Sequence, residues 1–279
     1  MNSYLEFKSP SIIDRIKSML KVDFYRLFNT PLYYIFLGIA AIIPALVAMG
    51  MSKTDPITGQ IVGTTLENIW IMVASEEPLY VVSTIAEYAN MNMVFIFGGI
   101  MVSIFIGHDY KSGYVKQLFT THAKKQDYMI SKSITCAFAM ACMCITYLIG
   151  TIASGIFNQI SFEINIGSLI LALLGKIIMS LGWASLYTFL NIIFRRYFGV
   201  SITSSFFFGT GILIIGASAV IDSLSLNTSI LNIFLYGSSV NACLSSDIFT
   251  LISCLLVSVM WAIVYNSLGT YILNKSDVY

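Results

Sequence analysis

Charge is what this sequence has least of. Only 10% of its 279 residues are Asp, Glu, Lys or Arg, against roughly 25% in soluble domains. Hydrophobic residues make up 57% and mean hydropathy is +0.82, so a chain solvated over most of its surface is excluded and lipid is the expected solvent. Histidine is scarce too: His108 and His122 are the whole supply, and neither stands in the HExxH spacing of a zinc protease. Three of the five cysteines, Cys136, Cys142 and Cys144, share one apolar stretch. That is neither a disulfide framework nor a paired metal site, and packing is the expected role. A phosphate-binding loop is also missing. In "GSLILALLGKII" the glycines are too far apart, and Ile177 follows Lys176 where a magnesium-binding hydroxyl is required. Glu76 and Glu77 resemble the paired glutamates of intramembrane proteases, but no arginine follows them. Neither catalysis nor a cofactor held by this chain is expected, and nucleic acid is not an expected partner.

What is present is a set of long apolar runs. A hydrocarbon core about 30 Å thick needs roughly 20 helical residues, and six runs qualify: 31–51, 91–107, 133–157, 167–193, 199–221 and 248–272. The expected fold is all-α and polytopic, with six transmembrane helices in residues 31–279 after a cytoplasmic segment, 1–30. The first apolar run follows about thirty charged and amphipathic residues and is expected to stay as an anchor rather than be cleaved.

Orientation follows from lysine and arginine. With the N-terminus inside, thirteen of the fifteen fall on the cytoplasmic side, leaving Lys53 outside and Lys176 within a span. Eight of the fourteen acids fall outside. Both termini are expected in the cytoplasm, with outside loops at 52–90 and 222–247. Within the second loop, "SILNIFLYGSSVNACL" is too apolar for an exposed coil and is expected to dip back against the bundle.

Before the first span, Ser9 is the expected N-cap and Pro10 the first helical residue. Ile12, Ile13, Ile16, Met19, Leu20, Phe24 and Leu27 fall on one half of the wheel, and Arg15, Lys17, Lys21 and Arg26 on the other, with Asp23 an exception on the apolar side. Such a helix is expected to lie in the headgroup plane with its basic face to the cytoplasm. A soluble helix packed on another domain is the alternative.

Two stripes of small residues mark close helix approach in lipid: Gly99, Ser103 and Gly107, and Ser201, Ser205 and Gly209. Packing within the chain and packing across a dimer are both open. Lys176 is an ionisable group in a span, so substrate contact stands beside snorkelling or an inward structural role.

The stretch "DYKSGYVKQLFTTHAKKQDYMISK", 109–132, joins the second and third spans. Asp109, Tyr110, Gly113, Val115, Lys116, Leu118 and Phe119 follow an order of acidic, aromatic, glycine, aliphatic, basic and apolar types. Lys125, Tyr128, Ser131 and Lys132 continue it. In that order and in overall topology the chain resembles the ABC-2-type transporter permeases, especially those of peptide-antibiotic export and self-protection. Aspartate stands where glutamate is commoner, and Lys124 and Lys125 replace a Ser-Arg pair, losing a planar guanidinium.

The resemblance implies that 108–132 holds a cytoplasmic coupling helix that seats on a separate ATPase. Asp109, Gly113, Tyr114, Lys116, Leu118, Phe119, Lys124, Lys125 and Tyr128 are the expected contact set. Tyr114, Leu118 and Phe119 would fill an apolar groove, and Lys116, Lys124 and Lys125 would meet acidic rims. It further implies two ATPase subunits carrying ATP and Mg, a second or sister permease, a bacterial plasma membrane, and export of an amphipathic peptide, antibiotic or lipid-like substrate. Rival readings are a non-transporting peptide-immunity or sensor protein, a secondary transporter, and an intramembrane enzyme. One intramembrane lysine and no internal repeat speak against a secondary transporter.

Overall fold

A computed structural model of the chain describes residues 11–51, 53–54, 61–62, 85–121, 123–157, 166–224, 228–244 and 248–275. It is helical apart from one short antiparallel pairing, Lys53 with Val62 and Thr54 with Ile61. The helices are α1 (Ile12–Phe28), α2 (Pro31–Met51), α3 (Ile85–Lys111), α4 (Tyr114–Thr120), α5 (Lys125–Phe157), α6 (Ile166–Ile193), α7 (Phe198–Gly209), α8 (Ile212–Ser223), α9 (Leu235–Leu244) and α10 (Ile248–Lys275). Glu76, Glu77, His122 and most of 52–90 lie outside the described residues.

α1 starts two residues later than the sequence suggests. Ser11, not Ser9, is the cap, because its hydroxyl accepts from the Asp14 amide at 3.2 Å and donates to the Asp14 carboxylate at 2.6 Å. That reciprocal pair satisfies an orphan donor of the first turn. At the other end Thr30 Oγ1 donates to the Arg26 carbonyl at 2.6 Å and Pro31 opens α2, a residue suited to a first helical position. The chain bends by 66° there.

Among the described residues four helices, α3, α5, α6 and α10, are each long and apolar enough to cross a membrane, and two bent pairs raise the number to as many as six. This is a multi-pass membrane protein. The 33 residues of α5 run about 50 Å at 1.5 Å per residue, well beyond the hydrocarbon thickness. Its excess is the polar start, where Asp127 and Lys132 lie.

The expected fifth span, 199–221, is not one rod. It breaks between α7 and α8 with a bend of 45°. Gly211 has φ +65, and a Cβ there would lie 1.9 Å from Tyr236 Cε2. Only glycine tolerates both the left-handed backbone and that approach. Tyr236 belongs to α9, whose Leu235, Ser238, Ser239 and Ala242 are also buried, so the described part of the second loop does return to the bundle.

The core is built around α6. Trp183 stacks on Phe95 of α3 at 5.5 Å and on Tyr187 at 5.6 Å, and Met140, Met143 and Met179 fill around them. α10 locks to α6 through Ser258, which accepts from the Gly182 amide at 2.9 Å and donates to the Ile178 carbonyl at 2.7 Å.

Candidate functional site

The ends of α3, α6 and α10 and the start of α5 meet at one end of the bundle, where Val115 of α4 packs with Tyr128, Met129, Ile192 and Leu273. Exposed Lys17, Lys21, Lys111, Lys116, Lys124, Arg196 and Lys275 belong to the segments gathered there, so it is the basic end.

The connection from α3 to α5 is mostly helix. Ser112 donates its amide to the His108 carbonyl at 2.9 Å and Gly113 to the Tyr110 carbonyl at 3.2 Å. Gly113 then turns the chain at φ +74, with open space where a Cβ would stand. Its requirement is therefore backbone conformation, not room. α4 runs seven residues and stops where Thr120 and Thr121 hydroxyls donate to the Gln117 and Leu118 carbonyls, each at 2.7 Å. Such local bonds compete with helix continuation.

Beneath α4 lies a closed ionic group. Asp23 of α1 accepts from Lys132 Nζ and from Ser131 Oγ, both at 2.6 Å. Lys132 Nζ is also 2.6 Å from Asp109 Oδ2, and Arg26 pairs with Asp109 Oδ1. The side chains of Asp23, Asp109 and Lys132 are 0% exposed and that of Arg26 is 23%. Two carboxylates and two cations balance to zero, which is what burial of charge demands. Aromatic faces complete the cage: Phe105 stands 4.7 Å from Lys132 Nζ, and the Tyr114 ring 4.0 Å from Arg26 Cζ. Burial pushes the Tyr114 phenol up from its ordinary value, with Asp23 and Asp109 adding to the rise and Lys132 and Arg26 opposing it. The ring thus remains a neutral, electron-rich face for the guanidinium.

Several expected contact residues therefore face inward. Asp109 and Tyr128 are fully buried and unavailable to another chain. Tyr114, Leu118 and Phe119 are half-buried against their own protein, Tyr114 on Arg26 and Phe119 on the Tyr128 ring at 5.6 Å. The reason is amphipathicity: a seven-residue helix with four adjacent apolar side chains covers the nearest apolar surface, which is internal. Lys125 is also half-buried and donates to the Leu273 carbonyl at 2.5 Å, tying α10 to α5. Lys116 and Lys124 point outward.

α1 is corrected in the same sense. Lys17 and Lys21 are exposed as expected of a basic face. Arg26 is consumed in the ionic group, and Arg15 pairs with Asp127 at 2.7 Å, so these two turn toward the protein and not wholly to the cytoplasm as expected of the basic face. Asp23, the exception on the wheel, is the signal that could have revealed the site: an acid on a buried face requires a buried cation.

The two small-residue stripes meet each other inside the chain. Ser103 Oγ lies 2.8 Å from Ser205 Oγ, Asn191 Nδ2 donates to Ser103 Oγ at 3.1 Å, and Ser201 Oγ donates to Asn191 Oδ1. A Cβ on Gly209 would lie 3.1 Å from Ile96 Cα; Gly99 closes on Tyr187 and Gly107 on Phe198. Lys176 faces inward, with Nζ 5.5 Å from the Tyr147 ring centroid.

A scan of protein-family models gives no match to the chain, and a search of curated proteins gives none either.

Proposed function

We propose that the chain is the membrane-spanning permease subunit of an ATP-binding cassette exporter of the ABC-2 type. It sits in a bacterial plasma membrane with its basic end and both termini in the cytoplasm. It works with a second or sister permease and with two ATPase subunits that hold ATP and Mg, and it moves an amphipathic peptide, antibiotic or lipid-like substrate outward. The observation that carries this reading is the fastening of α4. A short amphipathic helix at the basic end is clamped by Tyr114 over an ion group that joins α1, α3 and α5. Such an element passes an external push to three helices at once, since packed interfaces switch between discrete arrangements rather than deforming continuously. The outward face carries exposed Lys116 and Lys124 and suits an acidic partner surface, giving orientation and association rate.

Co-purification tests the proposal. Chain extracted in detergent from its own host's membranes is expected to bring down a nucleotide-hydrolysing subunit. Lys116→Glu combined with Lys124→Glu should weaken that association by about tenfold or more, as expected for reversed rim charges, while Lys17→Glu leaves it unchanged. If no ATPase accompanies the chain, and none added to it gains turnover, the reading falls.

A further inference from the structure

A groove of about 630 Å³ opens between the start of α5 and the end of α10. Its lining is ordered along its length. Leu181, Val259 and Ile263 form one end, and Ile130, Tyr271, Ser267, Asn274 and Gln126 lie toward the basic end; between them Ser133, Asn266 and Thr270 bond to one another and to the α10 backbone. From Val259 to Asn274 is about 22 Å at 1.5 Å per residue, one leaflet's hydrocarbon depth of about 15 Å plus a headgroup.

Among the described residues no carboxylate lines the groove, and two ammonium groups lie next to lining residues at its mouth. Lys125 precedes Gln126 and donates to the Leu273 carbonyl beside Asn274, and Lys275 Nζ stands 4.6 Å from the centroid of the lining ring Tyr271. Uncharged hydroxyl and amide groups between cations and an apolar end match one kind of occupant. We propose that the groove holds an anionic glycerophospholipid of the surrounding leaflet. One acyl chain runs along Leu181, Val259 and Ile263, the ester region lies beside exposed Ser267, and the phosphate sits near Asn274, Lys125 and Lys275. Cationic pockets between membrane helices recognise lipid phosphates by this combination of charge and shape.

Native mass spectrometry of the purified chain tests this without reference to transport or to any ATPase. Titrated with phosphatidylglycerol or phosphatidylcholine of identical chains, the protein is expected to keep the anionic lipid about thirtyfold better, at roughly 1 kcal/mol for each of the two lysines. Lys275→Gln should lower its retention about fivefold on the same basis. Ser267 is exposed and lines the groove, so Ser267→Trp fills the space without disturbing the core and should remove the preference. Glycerol 3-phosphate, which has the phosphate but no chains, should leave the lipid adduct in place. Equal retention of the two lipids, unchanged retention in Ser267→Trp, or displacement by glycerol 3-phosphate each overturns the proposal. So does a lipid-free dimer that Ser267→Trp abolishes, because the occupant would then be a second copy.

Discussion

Two polar clusters are buried in this protein, and they are built from opposite materials. At the basic end, Asp23, Arg26, Asp109 and Lys132 form a charged group that balances to zero. In α3, α6 and α7, Ser103, Asn191, Ser201 and Ser205 form a neutral one. The difference follows depth. Charges are tolerated where α5 still projects toward headgroups and water, and where the desolvation penalty is repaid by several partners. Six residues back along α3 from Asp109, about 9 Å at 1.5 Å per residue, Ser103 joins its neighbours through hydroxyls and an amide, which carry no charge to desolvate.

That contrast can be broken by mutation. Lys132→Met leaves Asp23 and Asp109 buried with Arg26 alone, and loss of about 3–5 kcal/mol is expected. Folded fraction by size-exclusion chromatography after heating checks it, and adding Asp23→Asn to restore neutrality should recover part of the loss. Asn191→Leu takes the acceptor from the buried Ser201 hydroxyl, while Ser103 keeps Ser205, and it strands no charge, so about 1–3 kcal/mol is expected, read as a smaller fall in midpoint. If it matches Lys132→Met, depth does not separate the clusters. Gly113→Ala tests the turn between α3 and α4, where only the left-handed backbone resists a side chain. About 1–2 kcal/mol is expected, and Gly113→Asn should cost less. Arg15→Gln removes the partly exposed guanidinium from Asp127, whose carboxylate is only 4% exposed; the glutamine amide can still donate to it, and about 1 kcal/mol should be lost.

The apolar runs made most of the fold legible. The ends of α6 and α10 fall within a few residues of the hydrophobic boundaries, because lipid solvation is a property of local composition. The start of α5 was less legible: Lys125 to Lys132 is polar, yet helical, since its ions are answered by α1 and α3. Gly113, Asp109 and Lys132 stood out as a pattern, but their partners did not. Asp23 and Lys132 are 109 residues apart, and which turn of α1 faces which turn of α5 is set by packing between helices, not by either helix alone. The break after α7 left a trace in Gly209, Thr210 and Gly211, outweighed by the apolar residues on both sides.

That break divides a run of membrane length into two twelve-residue pieces, each about 18 Å long at 1.5 Å per residue and too short to cross alone. Load applied at the Phe198 end is thus delivered to a knuckle rather than along an unbroken strut. The Tyr236 ring wedged against Gly211 acts as the stop that sets its resting angle.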